Sequence, residues 1–258
     1  MTEEVRGLVI RTTDINESDR LVTIFTEQRG VVTALAKGAR SLKSRKMAST
    51  MQFCYGDFVL APRGDKFWIK ETSLIESFFD IRSSLDGLAL AGYVVEVLAD
   101  VAVAESELDL LRLCLNSLYA IASGKYSLDK VKAAFEIRAA SILGFMPDVL
   151  SCQLCDERHG EFFFNVMGGF IECFKCHKDS ESTHTQLNDE HESQIICILS
   201  ESAKIALGYC IHTPLERLFS FNIPDEDMFL LARATEEYLV NHLERSFKSL
   251  EFYKEIRR

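Results

Sequence analysis

Residues 5–37 read VRGLVIRTTDINESDRLVTIFTEQRGVVTALAK, and this stretch decides the fold of the amino-terminal part. Val, Ile, Leu and Thr, which are enriched in β-strands, dominate three runs in it: Val5–Thr13, Arg20–Thr26 and Val31–Lys37. A polar run separates the first two, and Gly30 ends the second break, where a tight turn favours glycine. The pattern therefore predicts three short strands in quick succession.

Two further strands are predicted beyond a long basic loop. Cys54–Ala61 and Phe67–Phe78 have the same character and flank a turn of sequence PRGD at residues 62–65. Five short strands within about 75 residues suit a small closed or half-closed barrel, because closure leaves no exposed sheet edge. We therefore expect a β-barrel over residues 1–80.

After residue 84 the apolar residues recur with a helical period, starting with Leu85, Leu88 and Ala89. Later helices are predicted at Leu108–Ser123, Leu128–Leu143, Glu192–Tyr209 and Pro224–Phe247. Residues 151–178 carry four cysteines and a predicted hairpin, and residues 179–190 read as a polar linker. The fold class is thus expected to be α+β and multidomain: a barrel (1–80), a helical domain (81–150 and 188–258) and an inserted cysteine module (151–180).

Composition narrows the class of protein. The 258 residues are 47% apolar and 26% charged, which is ordinary for globular proteins. The start has no apolar signal-peptide core, and the apolar stretch Leu88–Ala104 is interrupted by Glu96 and Asp100. We therefore expect a soluble, cytoplasmic protein without a membrane segment. No G-x-x-x-x-G-K-[ST] motif occurs, and no G-x-G-x-x-G follows a predicted strand, so nothing indicates a nucleotide-dependent enzyme.

The four paired cysteines form the most specific motif. Cys152, Cys155, Cys173 and Cys176 have the spacing C-x2-C-x17-C-x2-C, which is typical of four-thiolate zinc sites. Two residues between cysteines let both sulfurs face one point, and a hairpin at Glu161–Val166 and Phe170–Cys173 would bring the two pairs together. The pattern predicts a structural Zn²⁺ site. The plain alternative is four ordinary core or surface cysteines.

Two other metal arrangements stay open. His159-Gly-Glu161 together with Cys173 and Cys176 has the outline of a zinc deaminase, in which the glutamate moves protons. No proline precedes Cys173, however, and the first cysteine pair would close the coordination sphere. The other arrangement has His177 replacing one of the sulfurs.

Charge is distributed unevenly. The net charge is −10, yet residues 1–80 hold 12 Lys and Arg against 11 Asp and Glu, while the remainder holds 17 against 28. The loop at residues 37–46 carries five cations and no acid: Lys37, Arg40, Lys43, Arg45 and Lys46. Such a loop can follow a phosphate backbone and release its counterions. We therefore predict nucleic-acid contact there, the alternative being a solvated surface loop.

Single-strand binding also requires aromatic faces on which bases stack. On the predicted strand from Phe67, alternation places Trp68 and Lys70 on one side, and Lys70 should face water. Trp68, the only tryptophan, is therefore a candidate stacking residue beside Lys70. It could equally cap the barrel core.

The sequence resembles the bacterial RecO family of recombination mediators. The resemblance rests on Glu17-Ser-Asp19 before Arg20-Leu21, on Thr26-Glu27, on the Arg29-Gly30 turn and on Lys37-Gly38-Ala39-Arg40, and it continues through the helical middle and both cysteine pairs. It implies an N-terminal OB-fold, a helical domain and a four-cysteine zinc module that stabilises the fold. It also implies a non-catalytic, nucleoid-associated protein that binds single- and double-stranded DNA and anneals complementary strands.

The implied partners are a RecR-like mediator and single-strand-binding protein, with which the family loads recombinase onto coated DNA. By the same resemblance, the five loop cations are DNA contacts and the four cysteines hold zinc. Two further functions stay open beside this one. The first is a protein-interaction adaptor whose acidic part docks a basic partner, and the second is a zinc hydrolase or deaminase.

Overall fold

The computed structural model describes residues 2–64, 66–101, 108–184 and 195–257. These residues form two compact units. The first comprises residues 1–123 and 247–258, and the second comprises residues 124–246.

The first unit begins with a closed five-stranded barrel, as the sequence predicts. Its strands are β1 (Glu3–Asp14), β2 (Arg20–Thr26), β3 (Gly30–Ala36), β4 (Tyr55–Arg63) and β5 (Lys66–Glu76). Their order around the barrel is β1-β2-β3-β5-β4, with β3 and β5 parallel and the other pairs antiparallel. Alternate side chains, such as Val22, Ile24, Phe58 and Ile69, fill the interior. A short helix α1 (Lys46–Ser49) lies between β3 and β4.

Two glycines allow the barrel to close tightly. Gly7 on β1 pairs with Gly56 on β4. A Cβ atom on Gly7 would lie 2.5 Å from the carbonyl oxygen of Phe25 on β2. Glycine within a strand marks such close backbone approaches, so any side chain at position 7 must push neighbouring strands apart.

Helices α2 (Leu85–Val101) and α3 (Leu108–Ser123) follow the barrel within the first unit, after a 3-10 turn at Phe79–Ser83. The bounds of α3 are those predicted from the apolar period. The apolar residues at its helical spacing, such as Leu110, Leu113 and Leu118, are fully buried. This is the stripe by which an amphipathic helix stabilises a core.

The second unit combines helices with a small antiparallel sheet. Its helices are α4 (Leu128–Ile142), α5 (Phe174–His184), α6 (Glu201–His212) and α7 (Asp225–Leu243). The sheet contains β6 (Phe162–Asn165), β7 (Phe170–Cys173) and β8 (Ile196–Leu199) in the order β7-β6-β8. The predicted hairpin is therefore present as β6 and β7.

The prediction of one helix over Glu192–Tyr209 is wrong within the described residues. Residues 196–199 form β8, which pairs with β6 so that Phe162 opposes Leu199. Ser200 then begins a new helix, because its hydroxyl accepts a hydrogen bond from the N–H of Ala203. Residues 192–194 lie outside the described part of the chain.

Two other boundaries differ from expectation. The helix predicted from Pro224 to Phe247 ends at Leu243, where Glu244 adopts a left-handed conformation with φ 51°. Residues 179–184 of the predicted linker belong to α5, whereas residues 185–190 lie outside the described part. Pro224 does precede α7, whose first turn holds three acids as the macrodipole favours.

A last helix, α8 (Lys248–Ile256), completes the first unit by packing on α2. The rings of Tyr93 and Phe247 meet edge to face, with centroids 5.6 Å apart. The carboxylate of Glu96 accepts a hydrogen bond of 2.9 Å from the backbone N–H of Ser249. Residues more than 150 positions apart in the chain thus share one core.

An ion network is buried between α4 and α7. The ammonium of Lys132 lies 2.8 Å from a carboxylate oxygen of Glu136 and 2.7 Å from one of Glu236. Thr235 donates a further hydrogen bond of 2.9 Å to Glu136. Burial disfavours both charged forms, but the two carboxylates hold the pKa of Lys132 above its usual value, and burial raises the pKa of Glu136. The network therefore depends on Lys132 as its only cation among these three ionised side chains.

None of the helices in the described ranges has the length and apolar character that crossing a bilayer requires.

Candidate nucleic-acid interface and metal centre

The four cysteines of the C-x2-C motifs converge on one point of the second unit. Cys152 and Cys155 precede β6, Cys173 ends β7, and Cys176 lies in the first turn of α5. Their sulfur atoms all lie within 4.8 Å of one another, and those of Cys155 and Cys173 are 3.6 Å apart. Bonds of about 2.3 Å to a tetrahedral ion place sulfurs about 3.8 Å apart. The cluster therefore fits a metal ion.

Backbone groups favour a thiolate in the cluster. Burial disfavours the Cys152 thiolate, yet backbone N–H groups, that of Cys173 at 3.3 Å among them, lower the pKa of Cys152 to about 7. The neighbouring thiols of Cys155 and Cys173 raise the pKa of Cys176 well above its usual value. Four thiolates at these distances would repel one another, so a cation at the centre would be needed to hold all four in that form.

The histidine alternatives do not join this cluster. The imidazole of His159 is 82% exposed and its Nδ1 lies 2.9 Å from Glu201. His177 pairs through Nδ1 with Glu172 at 2.9 Å and stacks on the ring of Phe163, with centroids 4.0 Å apart. Within the described chain, the group of possible ligands at this point contains the four sulfurs and neither histidine.

Four of the five loop cations are exposed, and three of these four have no partner among the described residues at hydrogen-bond or ion-pair distance. Lys37, Lys43 and Arg45 are exposed, and none of them has a hydrogen bond or ion pair with a described residue. They lie on the segment that connects β3 to α1, beside the barrel. Their charges are therefore available to a polyanion, as the sequence predicts.

Arg40 and Lys46 already have partners within the barrel, which the sequence did not predict. The guanidinium of Arg40 lies 3.2 Å from a carboxylate oxygen of Asp14 and donates to the backbone carbonyl of Asn16. The ammonium of Lys46 donates a 2.8 Å hydrogen bond to the carbonyl of Ile69, and its burial lowers its pKa. Arg40 thus attaches the loop to the end of β1 and the β1–β2 turn, and Lys46 attaches it to β5.

A backbone contact strengthens the first attachment. The N–H of Gly38, which has φ 69°, donates to the carboxylate of Asp19 at 2.8 Å. This hydrogen bond, with one from Asn16, lowers the pKa of Asp19. Both residues of the Lys37-Gly38 step are thus held beside the β1–β2 turn, which fixes where Lys37 leaves the barrel surface.

Trp68 lies half-buried on the outside of the barrel. Its neighbour Ile69 is in the core and Lys70 is exposed, as alternation predicts. The guanidinium carbon of Arg63 lies 4.0 Å from the centroid of the indole, and the ammonium of Lys70 lies 5.7 Å from it. The indole is therefore a π-surface flanked by two cations.

Trp68 also forms one wall of a surface cavity of about 380 Å³. The cavity is lined by Ile15, Leu21, Leu35, Arg63, Lys66 and Trp68. Sequence reasoning identified only Trp68 among them. The apolar residues at outward positions of β2 and β3 were the available signal, because outward positions on a barrel are usually polar.

Comparison with known proteins places both the N-terminal and the C-terminal part of the chain in one family. The family model described as Recombination protein O N terminal matches residues 1–78, and the model described as Recombination protein O C terminal matches residues 82–251. The chain is 35% identical to the DNA repair protein RecO of Acetivibrio thermocellus, across 98% of this chain and 96% of that relative. It is 26% identical to the DNA repair protein RecO of Clostridium acetobutylicum across 97% of both chains.

Proposed function

The chain belongs to the RecO family of DNA repair proteins, and on this basis we propose that it is a non-catalytic recombination mediator. In this role it binds single- and double-stranded DNA and anneals complementary strands. It helps load recombinase onto DNA coated by single-strand-binding protein, together with a RecR-like mediator. We place its action in the cytoplasm, at the nucleoid.

The observation that carries this proposal is the exposed cationic segment on an acidic protein. Lys37, Lys43 and Arg45 lie on one exposed loop, and none of them has a hydrogen bond or ion pair with a described residue. Lys66 and Lys70 are exposed on the neighbouring strand β5. A net charge of −10 repels DNA from most of the molecule, so the phosphate backbone is directed to this side of the barrel.

Annealing follows from charge neutralisation. Two single strands repel each other through their phosphates, and cations that contact both backbones reduce that repulsion. Because base edges are not held by a large hydrogen-bonding surface, they stay free to pair. Arg40 and Lys46 contribute less to this effect, since Asp14 and the carbonyl of Ile69 already satisfy them.

The four-cysteine cluster is proposed to hold structural Zn²⁺. Soft thiolates in a tetrahedral set are the ligands that zinc prefers in structural sites. Four protein ligands leave no position for a reactive water, so the ion would stabilise the module without doing chemistry. The cysteines would tie together the segment before β6, the end of β7 and the first turn of α5.

The modular roles are proposals as well. Residues 1–80 would be the DNA-binding OB-fold. Residues 81–150 and 188–258 would form the helical domain that meets protein partners, and residues 151–180 the zinc module. The partners proposed here are the RecR-like mediator and single-strand-binding protein.

The proposal is tested by annealing of complementary oligonucleotides. A variant with Lys37→Glu, Lys43→Glu and Arg45→Glu should lose most of its annealing rate, because repulsion replaces attraction at the loop. The matched control reverses three exposed cations outside the barrel and its loop: Arg112, Arg217 and Lys248. Equal annealing by the wild-type protein and the loop variant at low salt would overturn the assignment. Equal loss in both variants would mean that net charge alone is responsible.

A further inference from the structure

The four cysteines of the metal cluster differ in their access to solvent. Cys155 is exposed and Cys176 is half-buried, whereas Cys152 and Cys173 are buried. The oxidation of a cysteine depends on its thiolate character and on its exposure, and a sulfur that binds a metal ion is a thiolate. A small oxidant dissolved in water therefore meets Cys155 first.

The local chain geometry explains why Cys155 is at the surface. The first cysteine pair belongs to a turn that closes on itself, because the N–H of Cys152 donates to the carbonyl of Glu157 at 2.8 Å and the N–H of Asp156 donates to the carbonyl of Cys152 at 3.0 Å. Cys152 stands at the closed base of this turn, and its sulfur accepts a hydrogen bond of 3.3 Å from the N–H of Cys173. Cys155 stands at the tip, so its side chain can move without breaking these three hydrogen bonds.

The sulfur of Cys155 already touches a sulfur of the other cysteine pair. It lies 3.6 Å from the sulfur of Cys173 at the end of β7, a separation at which two sulfur atoms are in van der Waals contact. The sulfur of Cys152, by contrast, is held at the base of the turn by the N–H of Cys173. An oxidised Cys155 therefore has the sulfur of Cys173 beside it as a nucleophile.

We propose that Cys155 is a site of oxidation by hydrogen peroxide and that Cys173 converts the oxidised residue into a Cys155–Cys173 disulfide, which releases the zinc ion. The inference goes beyond the proposed function, and only the release of the ion rests on the proposed zinc site. Two sulfurs in a disulfide no longer serve as thiolate ligands, and Cys152 and Cys176 alone do not complete a tetrahedral site.

The reaction consumes one molecule of hydrogen peroxide for each disulfide. The Cys155 thiolate attacks one peroxide oxygen, the O–O bond breaks and hydroxide leaves, so that Cys155 becomes a sulfenic acid. The Cys173 thiolate then attacks the sulfur of Cys155, the S–O bond breaks and a second hydroxide leaves. The two sulfurs together lose two electrons, which the peroxide gains, and two protons from solvent convert the two hydroxides into water.

The other four cysteines provide an internal control. Cys54, Cys114, Cys197 and Cys210 are all buried. Burial raises the pKa of each of these thiols, so the thiolate, which is the reactive form, is scarce. Hydrogen peroxide should therefore leave these four thiols reduced while it oxidises the cluster.

The first measurement uses the purified full chain with its bound zinc. Hydrogen peroxide should release one zinc ion per chain, followed by the absorbance of the zinc complex of pyridylazoresorcinol. Peptide mass spectrometry should then find Cys155 joined to Cys173, and dithiothreitol with added zinc should restore the starting state. The inference is overturned if all eight thiols stay free under peroxide, or if the disulfide joins Cys152 to Cys155 instead.

Two substitutions that keep a metal ligand provide the second measurement. Cys155→His retains a zinc-binding side chain at the tip of the turn but cannot form the disulfide, so peroxide should release zinc from this variant more slowly. Cys176→His is the matched control, because it leaves Cys155 and Cys173 in place and should release zinc as the wild-type protein does. Equal slowing in both variants would overturn the assignment of Cys155.

The outcome is separable from that of the proposed function. Zinc release and disulfide mapping do not depend on DNA, so a loss of annealing activity would leave this inference standing. If the purified chain holds no zinc by elemental analysis, the proposed metal site fails, and the mapped disulfide alone then decides whether Cys155 is the oxidised residue. The same mapping on the wild-type chain decides the inference if neither histidine variant binds zinc.

Discussion

Replacing Lys37, Lys43 and Arg45 together by glutamine should reduce the salt dependence of DNA binding by a calculable amount. Each cation that contacts a phosphate of a single strand contributes about 0.7 to the slope of log K against log salt. Three such cations on the loop have no hydrogen bond or ion pair with a described residue, so the slope should fall by about 2. When the salt concentration rises fourfold, the affinity of the triple variant should therefore fall about 20-fold less than the affinity of the wild-type protein does.

The assay is fluorescence anisotropy of a labelled oligothymidylate, titrated at a series of NaCl concentrations between about 50 and 200 mM. Arg40→Gln provides the internal comparison. Because Arg40 is paired with Asp14 in the free protein, its removal should change the slope less than removal of an unpaired loop cation. The reasoning is refuted if the triple variant keeps the wild-type slope. It is also refuted if Arg40→Gln alone changes the slope as much as the triple variant does.

Three other predictions concern the fold. If the cluster holds zinc as proposed, Cys152→Ser should abolish metal binding and lower the melting temperature, whereas the buried Cys197→Ser should keep one metal ion per chain by elemental analysis. Lys132→Met should destabilise by about 3–5 kcal/mol in urea, because a buried carboxylate loses its counter-charge. Burial raises the pKa of Glu136 in the folded state. The loss of stability in Lys132→Met should therefore be small near pH 4 and grow as the pH rises. Gly7→Ala should cost ~1–3 kcal/mol through overpacking, whereas Gly92→Ala on helix α2, where a Cβ fits, should be neutral or stabilising.

Local patterns predicted much of the fold. The barrel strands alternate between core and surface, and their turns carry glycine or a polar run, so five strands could be placed from residue types alone. The same holds for α3, whose apolar stripe has a clear helical period. Strand β8 was missed because its four residues are all apolar or cysteine, and so short an apolar run does not distinguish a strand from a helix.

The candidate sites also differ in how far the sequence predicted them. The cysteine cluster was predictable because both C-x-x-C pairs encode their own geometry and a hairpin joins them. Which loop cations have internal partners was not predictable, because the groups that bind Arg40 and Lys46 belong to residues 23 or more positions away in the chain. The cavity also escaped prediction, since its walls come from five separate segments that meet only when the barrel closes.

The return of α8 to the first unit has a consequence for biosynthesis. The hydrogen bond between Glu96 and Ser249 spans 153 residues, and the ring of Phe247 completes the packing around Tyr93. During translation, the apolar surface of helix α2 that packs on α8 therefore stays uncovered until residues 247–256 have been synthesised. A nascent chain stalled before residue 247 should expose that face to chaperones and proteases, and emergence of Phe247 and helix α8 from the ribosome should end this exposure.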